Sequence, residues 1–232
     1  MFYDESPQPV TREQVQARIK EHQRLQPSLG RALRADAITF TANRGEPVAF
    51  RSRAAEWRNV LRLLWTSGDY FGVAMYRLRV ALRRAHVPIL PTILNKLTIW
   101  MFAIRIGDYV LVEPGVYINH GNVVIDGVTR IRTGTVITGW VTIGLKAGNF
   151  LGPDVGPAAF VGFHSSILGN ITVGRGAQVG AHTVVVNDVP PNAVVAGAPA
   201  RIVAEDVLGP LERTRREQEQ RQTDPASTPG DA

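Results

Sequence analysis

The chain has 232 residues, a mass of 25.4 kDa, 44% hydrophobic and only 7% aromatic residues, and no cysteine. That length can bury a core without staples. The missing thiols exclude a disulfide scaffold, a thiolate zinc site and a cysteine nucleophile. The net charge of +6 sits in one place: residues 51–105 carry 10 basic and 2 acidic side chains, while the segments on either side nearly balance. Such a segment should attract anions.

In chain order, Met1 to Gln16 is polar and acidic, without the apolar run of a signal peptide. With the absence of cysteine, this points to a reducing compartment and a cytoplasmic location. Residues 11–27 read as a polar helix ending at Pro27, and residues 28–52 as loop or short helix. From Ala54 to Trp65, Trp57, Val60, Leu61, Leu64 and Trp65 recur at helical spacing. A further helix is expected over Asp69–Ala85, with Phe71, Met75, Leu78 and Leu82 on one face and Arg77, Arg79, Arg83 and Arg84 on the other. A third apolar segment follows Pro91, from Thr92 to Ile104, and is too short to cross a bilayer. These three apolar faces are expected to bury one another. The exposed arginines of 51–105 then make at most a weak, electrostatic contact with an anionic membrane. No recognised nucleic-acid module or aromatic stacking motif accompanies the basic charge, so no nucleic-acid partner is expected.

From Ile106 the texture changes. An aliphatic residue returns every sixth position at Ile106, Val112 and Ile118, and after one extra residue at Ile125, Ile131, Ile137 and Ile143. A break covers about Leu145 to Asp154, and the period resumes at Val155, Val161, Ile167, Val173, Val179 and Val185. A small or β-branched residue stands four places later, as at Val110, Thr129, Ala159 and Thr183. Six residues make one short strand and one tight turn, and three such units close a triangular coil. The pattern predicts a mainly β protein. A parallel β-helix of about four coils spans residues 105–203, a helical region 1–104 precedes it, and a charged tail 204–232, partly disordered, follows.

Tandem hexapeptides headed by Ile, Val or Leu resemble the left-handed β-helix acyltransferases. The stretch Ile167–Val203, and above all its ending Gly197–Arg201 (GAPAR), is most similar to serine acetyltransferases and their polysaccharide-acetylating relatives. The resemblance implies acetyl-CoA as donor, a small hydroxylated acceptor such as serine or a sugar, a histidine base, and a homotrimer or dimer of trimers. A second reading is a non-catalytic β-helix scaffold.

Among the five histidines, His22 and His86 lie in or beside helices and read as structural or solvated. His120 stands where the repeat gains its extra residue, followed by Gly and a short aliphatic run, as in the family's catalytic motif. It is the candidate general base. A neutral imidazole can take the proton of an acceptor hydroxyl near pH 7. Three positions depart from serine acetyltransferases: Asn119 stands for an Asp before the histidine, Gly152-Pro153 for a His-Pro pair, and Arg105 for the acid that orients the base. Glu113 and Asp126 are the alternative orienting acids. His164 and His182 are 18 residues apart, one full coil, and should stack on one corner with Trp140 and Gly121. Asn119, Asp126, Trp140 and His164 are therefore the candidate acceptor contacts. Gly162, Ser165 and Gly180 are candidates for pairing with pantetheine, and Arg175 and Arg201 for its phosphates. A three-histidine zinc site of the β-helix carbonic anhydrase kind needs an H-x4-H pair, which is absent, so no metal is expected.

Overall fold

The structure is a computed structural model that describes residues 10–205 and 207. Five helices precede fifteen short strands: α1 (Arg12–Leu25), α2 (Leu29–Asn43), α3 (Arg53–Thr66), α4 (Gly68–Arg84), α5 (Leu90–Phe102), then β1 (Ile104–Ile106) to β15 (Arg201–Ala204).

The strands form three sheets. The first stacks β1, β4, β7, β10 and β13; the second β2, β5, β8 and β11; the third β3, β6, β9, β12 and β14, with β15 antiparallel at its end. Successive strands of one sheet come from successive coils, so every pairing but the last is parallel, and the result is a parallel β-helix. All thirteen periodic aliphatics point inward at 0–3% exposure. Each such burial stabilises by about 1.5–3 kcal/mol.

There are five coils rather than four. The last is shortened: Val173 pairs with Val189 and Val179 with Val195, sixteen residues on instead of eighteen. The six-residue count therefore stops at Val185 although the coil continues through β14 (Val194–Ala196). The break is also shorter than expected, because β8 (Leu151–Val155) pairs with β5 from Leu151 onward. Gly152 and Pro153 are buried in that strand and do not lie on a protruding loop.

The helices close the open end of the first coil. Phe40 of α2 meets Tyr70 of α4 and Tyr117 of β3 edge-on, at centroid distances of 5.3 and 4.7 Å. Below the rings Arg77, expected on a solvated face, is 3% exposed. Its Nε donates to Asp36 Oδ2 at 2.8 Å and its Nη2 to Glu113 O at 2.9 Å; Val112 O accepts from its Nη1. Asp36 Oδ1 accepts the Gly115 N–H at 2.8 Å. One ion pair thus ties α2, α4 and the first coil together. Arg79 is buried too, donating to Asn95 and Ile106 O, and burial lowers its pKa.

Segment 28–52 contains a 15-residue helix, α2, where loop or a short helix was expected. Its buried face carries Asp36 and Thr41 among Ala32, Ala37 and Phe40, and those polar members hide the period. In α3 the buried side is Asn59, Val60 and Leu63. Asn59 Nδ2 donates to Thr41 Oγ1 at 2.9 Å, so Trp57, Leu61 and Trp65 turn outward. In α4 the apolar members of the buried face are Tyr70, Val73, Ala74 and Tyr76, one step round from the expected Phe71, Met75, Leu78 and Leu82.

α1 begins with a capping box, Thr11 and Gln14 each satisfying the other's backbone N–H. It lies against the second sheet, Ile19 packing on Val128 and Leu151. His22 is buried, with Nδ1 2.8 Å from Tyr109 O. His86 is exposed.

Two outcomes follow. Asp36→Ala leaves a buried guanidinium unpaired and should cost about 3–5 kcal/mol in denaturant unfolding. Burial holds the His22 imidazole below its usual pKa, so the unfolded chain binds more protons there. Stability is therefore full above the unfolded pKa of about 6.5 and is lost as the pH falls below it. Unfolding midpoints measured between pH 7.5 and pH 5.5 (a range of about two units around that value) should fall more steeply in the parent than in His22→Gln.

Candidate active site at the first corner

The corner between the third and first sheets carries the candidate base, His120. Its regular form has four residues, as between β6 (Val136–Ile137) and β7 (Thr142–Gly144). Ile118 pairs with Ile137 and Val124 with Thr142, so the equivalent corner of the first coil holds five, 119–123. The extra residue is absorbed by three consecutive left-handed residues, His120 (φ 67°), Gly121 (φ 59°) and Asn122 (φ 51°). Non-glycine residues in this region cost about 1–2 kcal/mol each.

This bulge turns the His120 side chain outward, and it is exposed. The next coil places Gly139 beneath it, where a Cβ would stand 3.1 Å from His120 Cβ. With no side chain at 139, the imidazole reaches past that coil to the Phe163 ring, at a centroid distance of 5.4 Å. Neither the His120 ring nor the Asn119 carboxamide hydrogen-bonds to another described residue.

Beside this runs a ladder of rings. Trp140 stacks on His164 at 5.4 Å and 9°, and His164 on His182 at 4.8 Å and 4°. All three are left-handed, with φ of 62°, 57° and 54°. Their backbone N–H groups reach the neighbouring coil, Trp140 to Gly121 O, His164 to Gly139 O and His182 to Phe163 O. The coil thus places His120-Gly121, Trp140, His164 and His182 on one corner, at intervals of 19, 24 and 18 residues from Gly121 onward, the second lengthened by the excursion 145–150.

Other candidates lie elsewhere. Asp126 occupies the next corner, where its Oδ1 accepts the Gly127 N–H at 2.8 Å. Glu113, at the third corner, accepts from Arg130 at 2.6 and 2.9 Å and from the Thr133 N–H at 3.2 Å. Neither carboxylate is placed to orient His120. Arg105 is exposed on β1. Gly162 and Gly180 use their N–H groups on Val179 O and Val195 O, both at 2.8 Å. Ser165 is fully buried and its hydroxyl donates to Gly162 O at 2.6 Å. These residues build the coil, and Gly162 and Gly180 can offer a ligand only what remains of their backbone. Arg175 projects from the third corner, between β11 (Thr172–Val173) and β12 (Gln178–Val179), away from His120. Arg201 is exposed on β15, beside the last coil of the His120 corner. Gly139 and Phe163 escaped notice in the sequence. Counting the corner position through each coil would have found both.

Among the described residues no cluster of three or more His, Asp or Glu could hold a metal ion.

A repetitive parallel β-helix capped by helices, with a histidine displayed at an irregular corner, defines the class: a hexapeptide-repeat β-helix protein of the acyltransferase type. No family model matches the chain. Serine acetyltransferase of Helicobacter pylori is 31% identical over 153 residues, 64% of this chain and 89% of the relative. Serine acetyltransferase 2 of Arabidopsis thaliana is 38% identical over 107 residues, 44% of this chain and 33% of that protein. A solved serine acetyltransferase in complex with CoA superposes with a TM-score of 0.64 at 26% identity, over 81% of this chain and 75% of that one. The chain belongs to the serine acetyltransferase family. It spans only about a third of the length of some curated relatives it matches, 33% and 38% for those of A. thaliana and Escherichia coli.

Gly139→Ala should push the imidazole off Phe163. The upfield ring-current shift of the His120 ring protons should shrink, while stability changes by only about 1 kcal/mol. Unaltered His120 signals would mean that the gap at 139 does not set its position.

Proposed function

We propose that the protein is an acetyl-CoA-dependent O-acetyltransferase in which His120 is the general base. The observation that carries this reading is the five-residue corner, which breaks a regular coil to display one imidazole that rests on Phe163 and has no hydrogen-bond partner among the described residues. The solved relative named above, a serine acetyltransferase in complex with CoA, supports the choice of donor.

The imidazole of His120 takes the proton of an acceptor hydroxyl as its oxygen attacks the thioester carbonyl. The tetrahedral oxyanion collapses, the carbon–sulfur bond breaks, and the imidazolium returns the proton to the sulfur. The products are an acetyl ester and CoA thiol. Asn119 flanks the base and is placed to hold the acceptor or the oxyanion. Trp140, His164 and His182 present a wall of stacked rings along which pantetheine can run, towards Arg201 for a phosphate.

The acceptor is a small hydroxylated molecule, serine or a sugar. The departures at Asn119 and Arg105 weigh towards a sugar, because each stands where the serine-acetylating pattern has an acid. A homotrimer or dimer of trimers of this chain would supply the other wall of the cleft, and a reducing cytoplasm suits a chain without cysteine.

Thiol release from acetyl-CoA with a panel of amino acids and sugars tests the reading. His120→Ala should lower kcat on the order of 10²–10⁴-fold with little change in the KM for acetyl-CoA. His182→Ala should cost much less. Equal, small effects of both substitutions would remove His120 from the chemistry and favour a scaffold.

A further inference from the structure

α5 is built inside out. An amphipathic helix normally turns its apolar stripe to the core. Here the residues buried are Pro91 and Thr98, and the Thr98 hydroxyl donates back to Leu94 O at 2.8 Å. The opposite side displays Ile93, Leu97, Trp100 and Met101, with Trp100 84% exposed. The expected mutual burial of the three apolar faces therefore fails for this helix. Trp65, the penultimate residue of α3, is 91% exposed. It belongs to the same end of the molecule. Ser67 joins α3 to α4, and the start of α4 meets the end of α5, where the Phe102 ring lies 5.3 Å from Phe71.

The charge around this face is mainly basic, with the half-buried Asp69 at the start of α4 the exception. α5 contains no acid, and its Lys96 is exposed within the apolar stripe. Arg105 follows the helix on the outside of β1, and Arg58 is exposed beside Leu61 on α3. Glu56, the acid of α3, is occupied by Arg34 at 2.8 Å. A two-fold contact of this face with itself would set Lys96 and Arg105 against their own copies. An anionic bilayer answers both features. Tryptophan and aliphatic tips enter the headgroup boundary, and lysine and arginine keep their charge among the phosphates. Among the described residues no helix is long and apolar enough to cross a membrane, so the contact lies on the surface.

We propose that the outward face of α5, with Trp65 of α3, seats the protein on an anionic lipid surface. The seat is joined to the candidate site. Val123 N–H donates to Ala103 O at 3.0 Å, and a Cβ on Gly121 would stand 2.7 Å from Phe102 O. The end of α5 therefore holds the His120 corner near the surface, within reach of hydroxyls carried there. That consequence rests on His120 being the base. The seating does not, and it is read by binding alone, so the two fail separately.

The full chain is sedimented with phosphatidylglycerol–phosphatidylcholine vesicles and with phosphatidylcholine alone, at low salt and at about 0.5 M salt, where the Debye length is only a few ångströms. Retention is expected on the anionic vesicles only. A fraction should survive high salt, with a blue-shifted tryptophan emission. The double variant Trp65→Ser/Trp100→Ser, with unchanged circular dichroism, should lose that fraction at least about tenfold. No retention, retention abolished entirely by salt, equal retention on neutral vesicles, or unchanged binding by the double variant would each overturn the proposal. Absent vesicle binding with a smaller oligomer for the double variant in light scattering would overturn it as well, and would assign the face to a second copy of the chain.

Discussion

Every part of this structure depends on the register of one six-residue repeat. The aliphatic of each unit must land on its equivalent one coil away, because the parallel ladder and the buried column are set by the same spacing. Thirteen residues obey it. The corners then fall into columns whether or not their residues have any affinity for one another. A tryptophan and two histidines lie ring on ring because the coil brings their left-handed backbones together, and the stacking adds to a geometry already fixed.

Within so regular a frame, irregularity is informative. The coil departs from its period at three places. The last coil loses two residues at the corner between Val185 and Val189: Ile167 still pairs with Val185 eighteen residues on, but Val173 pairs with Val189 only sixteen on. The excursion 145–150 leaves between β7 and β8. The third departure is the five-residue corner at 119–123, where the distortion displays an imidazole. Left-handed residues that are not glycine carry strain, and strain persists where the surroundings fix it. Here the fixing elements are identifiable: the end of α5 behind Gly121, and the vacancy at Gly139 beneath His120.

The β-helix was legible in the sequence because period and burial coincide in it. Each Ile or Val in phase is a buried column residue, and even the His164–His182 stack follows from counting eighteen. The helices were less legible because polar residues take part in their buried faces. Asp36, Asn59, Arg77 and Arg79 are all enclosed, each held chiefly by partners far away in sequence, and a hydrophobic pattern cannot anticipate them. The opposite error occurred at α5, where a strongly apolar stretch promised burial and the structure turns it outward. At the candidate site, the extra residue pointed to His120. Asp126 and Glu113 were near in sequence only, since one step along a coil carries a residue to a different corner.

The account therefore rests on one corner of the β-helix being where the thioester is held. A crystal structure of the full chain with CoA tests this most directly. The account predicts the CoA sulfur beside the His120 imidazole, at a contact distance of about 3–4 Å, with the pantetheine arm running along Trp140, His164 and His182. A sulfur bound at the corner of Arg175, or at the Asp126 corner with His120 left in solvent, would contradict it.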